Sequence, residues 1–183
     1  MILFRKKILK KNHGFTLVEM LVTISIMLVI TGGGIAAFIG FNDKQSVQVA
    51  VKDLQTLLRA AQTKAKVGEN AEICRTNYLP TVLNLRSYRV YIDNGTNTAI
   101  LYAVCTDQKF APFGRVEYVE RSRISFDSNV TASIQGGGDV DVEFLSLLGG
   151  VDGAGVVEIT GLGTNVYDFE ITSSGEIREG AFQ

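Results

Sequence analysis

From Phe15 to Phe41 the chain is apolar with one ionisable side chain, Glu19. A run of that length predicts a helix able to cross a bilayer. From Asn42 to Lys66 the pattern changes to a 3.6-residue period. Val47, Ala50, Val51, Leu54, Leu57, Leu58, Ala61 and Ala65 fall on one stripe, which Asp43, Lys44, Gln48, Lys52, Arg59 and Lys66 largely avoid. The helix is therefore expected to continue past the apolar run and to lay this stripe on an outer domain. Gly68, with Asn70 after it, is the stop signal.

Beyond Ala71 the rhythm becomes alternating and β-branched between Gly, Asn and Asp clusters. It predicts strands at Ala71–Arg75, Tyr88–Asp93, Ala99–Thr106, Arg115–Glu120, Arg123–Asp127, Val140–Leu145, Val156–Thr160, Tyr167–Thr172 and Glu176–Arg178. Asn94-Gly95 and Ser173-Ser174-Gly175 mark two tight turns. The expected class is α+β, one long N-terminal helix packed on an antiparallel β domain. The segments are 1–14 (a basic start), 15–41 (the span), 42–68 (the amphipathic helix) and 69–183 (the β domain). Gly32, Gly33 and Gly34 fall inside the span, each costing about 1 kcal/mol relative to Ala. They mark either a point of local unwinding or close packing between membrane helices.

Length and charge refine this layout. At 183 residues the chain suits one domain plus an anchor. Arg5, Lys6, Lys7, Lys10 and Lys11 precede the span and no acid does, which places the start of the chain in the cytoplasm. The whole-chain charge of −1 hides an asymmetry, because those five residues belong to the first 14, leaving 13 of the 18 Lys+Arg with all 19 Asp+Glu, a net of about −6. An acidic outer domain lacks the basic face of a nucleic-acid binder.

Gly14 followed by Phe15-Thr16-Leu17-Val18-Glu19 and an unbroken apolar run resembles the class III signal of type IV pilins and type II secretion pseudopilins. A secretory signal peptide has a shorter apolar region with its cleavage site after it, and a plain signal anchor would explain neither Glu19 nor the Gly-Phe junction. The resemblance implies that a prepilin peptidase cuts between Gly14 and Phe15 and methylates the new terminus. It also implies that Glu19 neutralises the terminal amine of Phe15 on a neighbouring subunit as filaments grow.

The implied partners are the prepilin peptidase, other pilin or pseudopilin subunits, an inner-membrane assembly platform and membrane lipid, with nucleic acid not expected. The implied location is the bacterial inner membrane, single-pass, with the β domain on the extracytoplasmic side. Ala61–Lys66 followed by Ala71–Cys74, then Val142-Glu143-Phe144 with Gly149-Gly150, and finally Ile171–Ile177, resemble the GspH/FimT minor (pseudo)pilins. A DNA-uptake member of that group would carry an Arg-containing motif after the last Gly. Here Gly175 is followed by Glu176-Ile177-Arg178-Glu179, with a single basic residue between two acids.

Few residues offer other chemistry. Cys74 and Cys105 are the only cysteines, and in an exported domain they form either a disulfide, which is the expectation, or two buried thiols. His13 is the only histidine and lies before the junction, so no His-dependent nucleophilic mechanism is available to the mature chain. Asp139, Asp141 and Asp152 flank glycine-rich stretches without the spacing of an EF-hand, and solvated turns explain them better than calcium. Tyr88, Tyr91 and Tyr102 on one hairpin read as core and cross-strand packing. No metal, cofactor or enzymatic activity is expected. The expected function is a structural minor pilin or pseudopilin; the alternative is a minor pilin that binds DNA or a surface.

Overall fold

The computed structural model describes residues 15–68, 74, 83–106, 116–135, 137–146, 150–162 and 165–183. It divides into two units, the boundary falling between Phe41 and Asn42. One helix, α1, spans Leu17–Val67.

In the first unit the large apolar side chains of α1, from Leu17 to Phe41, are exposed. The helix contains an 18-residue window of mean hydropathy 2.2 with none of it buried inside the protein, so it is long and apolar enough to cross a membrane. Gly32, Gly33 and Gly34 are helical in this single chain, with open space where their side chains would be. The unwinding suggested by the triple glycine is absent here. An intact helix satisfies every i→i−4 bond at these positions, and the missing side chains remove nothing it packs against.

In the second unit α1 continues from Asn42 and ends at Val67, with Gly68 at φ +64°. All eight residues of the predicted stripe are buried, from Val47, Leu54, Leu58 and Ala61 at zero exposure to Val51 and Leu57 at 5 %. They pack on two antiparallel sheets. The larger has the order β3-β2-β1-β5-β6 and the smaller β4-β7-β8-β9, built from β1 Asn84–Asp93, β2 Thr98–Thr106, β3 Val116–Ser125, β4 Thr131–Ile134, β5 Asp141–Leu145, β6 Val151–Asp152, β7 Gly155–Thr160, β8 Val166–Ile171 and β9 Ile177–Phe182. Strand alternation decides which residues face the helix. Tyr88, Val90 and Ile92 of β1, Ala99, Leu101 and Ala103 of β2, Val142 and Phe144 of β5, Val157 and Ile159 of β7, and Phe169 and Ile171 of β8 join the helical stripe in one core.

Several expectations change. The two strands expected at Arg115–Glu120 and Arg123–Asp127 are one strand, β3. Its register slips between the pairs Tyr102↔Glu120 and Leu101↔Ser122, leaving Arg121 as a bulge. The extra residue is absorbed without ending the strand. Strands β4 and β6 were not anticipated, and β9 runs on to Phe182. Of Ala71–Arg75 only Cys74 is among the described residues, and it lies in a 3₁₀ turn rather than a strand. Asp43, expected on the solvated face of the helix, is 7 % exposed. Its carboxylate is enclosed because the β7–β8 connection closes over it.

Both expected turns form. Asp93 and Thr98 close a hairpin over residues 94–97. The residue with positive φ is Asn97 (φ 51°), not Gly95. Asp93 caps this turn, accepting from the Gly95 N–H at 2.9 Å and the Thr96 hydroxyl at 2.8 Å. The Thr96 hydroxyl and then the Gly95 amide hold its carboxyl below the usual range.

Candidate functional site

The start of α1 is built from its own sequence. Thr16 Oγ1 accepts a hydrogen bond from the Glu19 N–H at 3.2 Å, and the Thr16 carbonyl accepts from Met20 N at 3.1 Å. Thr16 is thus the N-cap and Glu19 the third helical residue, and of a capping box only the hydroxyl-to-amide half is formed. The Thr-x-x-Glu spacing that carries this cap is present in the sequence, where it reads first as part of a processing signal.

Glu19 therefore stands in the first turn, where the helix dipole favours a negative charge by roughly 0.3–1 kcal/mol. Its carboxylate has no hydrogen bond or ion pair among the described residues, and Phe15 is 74 % exposed. A carboxylate with no partner among the described residues, in an apolar helix segment with no other charge, is chemically fitted to receive a cation from another chain. Gly14 lies outside the described residues.

Cys74 and Cys105 are joined by a disulfide with their Cα atoms 5.5 Å apart. Both are fully buried and, with Leu83, make a second small core flanked by Leu85 and Val119. The bridge ties the chain beyond α1 to β2 and is remote in sequence from the helix start, so its work is structural.

The outer face of the larger sheet carries a cluster of polar side chains. Arg89 makes a two-pronged pair with Asp141 and lies over the rings of Tyr118 (5.1 Å) and Tyr91 (5.7 Å). The bond to Asp141 raises the Arg89 pKa against the opposing effect of burial. Ser87 donates to Glu143, and Tyr91 donates to Asp139 at 3.1 Å. A cavity of about 290 Å³ there is lined by Arg89, Asp141, Glu143, Asp152 and Gly153.

Within it Asp141 is committed to Arg89. Among the described residues no group of three or more His, Cys, Asp or Glu is placed to hold a metal ion. Of the three tyrosines, Tyr88 is in the core; Tyr102 stacks edge-on against Tyr118 at 6.1 Å.

Sequence reasoning missed Asp43. Its Oδ1 accepts from the Leu162 N–H at 2.7 Å and its Oδ2 from Asn165 Nδ2 at 2.6 Å. Gly161 is required beside it, since a Cβ there would sit 2.6 Å from Asp43 Oδ1 and 2.7 Å from Val47 Cγ2. An acid directly after an apolar run, facing a glycine far along the chain, carries no local signal of this contact.

Residues 9–35 match the family model described as the prokaryotic N-terminal methylation motif. No curated protein and no solved structure matches the chain. The motif supports a place in the pilin superfamily and implies processing by a prepilin peptidase and assembly with other pilins. Together with the apolar helix it suggests a membrane-anchored, pilin-like structural protein.

Proposed function

We propose that the chain is a minor pilin or pseudopilin of the GspH/FimT kind, built into a type IV pilus or a type II secretion pseudopilus through its N-terminal helix. Prepilin peptidase cuts between Gly14 and Phe15 and methylates Phe15. Glu19 then meets the Phe15 amine of an adjoining subunit within the inner membrane, at the assembly platform. The reading is carried by one observation: the methylation motif over residues 9–35 leads directly into an apolar helix whose first turn presents an unpaired carboxylate.

Recruitment of nucleic acid has less support. Arg178, the one basic residue after the last turn, is bonded to Glu170 at 3.4 Å and Glu176 at 3.3 Å. A guanidinium engaged by two carboxylates is a poor phosphate ligand.

The test is the mass and N-terminal sequence of the protein extracted from membranes of cells that contain a prepilin peptidase. The expected product starts at N-methylated Phe15. A product that keeps residues 1–14 under those conditions overturns the reading.

A further inference from the structure

Asp43 is the first ionisable residue after the apolar run that ends at Phe41. Whatever it holds lies close to the point where the chain leaves that run, by connectivity alone. It holds Leu162, through the backbone N–H at 2.7 Å, and Leu162 is apolar and 58 % exposed. Leu162 is placed there with little freedom, because Asn165 bonds the other carboxylate oxygen and Gly161 admits no Cβ against Asp43 and Val47. A buried carboxylate with both oxygens engaged is costly to leave unpaired, so the contact fixes Leu162.

The same end of the domain gathers side chains suited to a lipid–water boundary. Lys44 Nζ lies 4.7 Å from the centre of the Phe182 ring, and Phe182 packs edge-on against Tyr167 with ring centres 5.1 Å apart. Lysine and aromatic rings favour the headgroup level, where an apolar body and a polar tip are both satisfied.

We propose that Leu162 is a membrane-contact residue: in the unassembled subunit it rests in the bilayer interface, with Lys44 and the Phe182–Tyr167 pair beside it as the interfacial rim. The partner is the lipid surface around the subunit's own span, and the proposal rests on the membrane-anchored reading above. An exposed leucine elsewhere on the surface needs no explanation. This one is held by a dedicated buried acid beside the exit of the span.

The test uses the full mature protein, alone in phosphatidylcholine vesicles. An environment-sensitive fluorophore is attached through Leu162→Cys, Ser174→Cys or Ile26→Cys, each made singly. The native cysteines are bridged and stay unlabelled. Ser174 neighbours Gly175, whose carbonyl is held by Gln62. Gln62 is 19 residues along α1 from Asp43, roughly 28 Å up the helix.

Lipids brominated near the headgroup should quench the label at Leu162→Cys several-fold more than that at Ser174→Cys. Lipids brominated deep in the chain should quench Ile26→Cys. Equal, weak quenching at Leu162→Cys and Ser174→Cys, with Ile26→Cys quenched, overturns the proposal and leaves the anchored reading intact. Failure to quench Ile26→Cys overturns the anchored reading itself, and the proposal falls with it. Shielding of Leu162→Cys that develops only when other subunits are added identifies a protein partner instead of lipid and also overturns it.

Discussion

Gln62 Nε2 donates to the carbonyl of Gly175 at 2.7 Å and so pins the β8–β9 turn to α1 across 113 residues of sequence. The turn can reach the helix because Gly175 adopts φ +85°. A Cβ there would stand 3.0 Å from Val151 Cγ2 as well as in the left-handed region. Gly175→Ala is therefore expected to lower stability by about 1–2 kcal/mol. Gln62→Ala should lower it by about 0.5–1.5 kcal/mol. Because the residues touch, the double variant should fall short of the sum of the singles. Denaturant melts of the four proteins in detergent check this.

The disulfide joins Cys74 to Cys105 at a sequence separation of 31. In the chain-entropy account such a loop contributes roughly 3–4 kcal/mol. The pair Cys74→Ala and Cys105→Ala should lose about that amount, and reduction of the native protein should move the unfolding midpoint the same way. An unfolding curve unmoved by reductant would show that the bridge constrains nothing that matters to the fold.

The long helix was readable because its stripe is periodic and local: all eight residues from Val47 to Ala65 that the spacing selects are in the core. Strands β1 and β2 were readable through alternation and through the turn after Asp93. Strand β4, Thr131–Ile134, is short and half polar, and β6 is two residues long, so neither has a pattern of its own. Both form because a neighbouring strand offers them an edge, Val157–Thr160 for one and Glu143-Phe144 for the other. The start of α1 was readable because the Thr16-to-Glu19 spacing that caps it is local. The Asp43–Leu162 contact was not, since its partners lie 119 residues apart and neither betrays the other.

Acid should weaken the outer domain through particular carboxylates. Asp93 is held below its usual range first by the Thr96 hydroxyl, and Glu120 first by its hydrogen bonds to Arg123. A depressed native pKa means that the folded state favours the ionised form. That contribution is complete above the unfolded value of about 4 and is lost as pH falls through the lower native value. The thermal midpoint should therefore drop from about pH 5 downward, and Asp93→Asn should flatten this acid limb by lowering the midpoint near neutrality, where the contribution of the ionised carboxylate is complete. An acid limb identical in Asp93→Asn and the native protein would assign the loss to other groups.

The cap at the start of α1 and the proposed charge role of Glu19 can be separated by substitution. The Glu19 backbone N–H donates to the Thr16 hydroxyl in the cap that starts α1, and its charge is the proposed ligand for the amine of an adjoining Phe15. Glu19→Gln keeps a side chain that serves a capping box but removes the charge. Thr16→Ala keeps the charge but removes the capping oxygen, at about 0.5–2 kcal/mol of helix stability. If charge governs assembly, Glu19→Gln and Glu19→Ala should both be cleaved normally yet enter filaments poorly. Thr16→Ala, where it is cleaved, should still be incorporated. The measurement is the ratio of sheared-filament to membrane protein for each variant, with cleavage scored by mass. Incorporation of Glu19→Gln at the native level would overturn the charge role of Glu19.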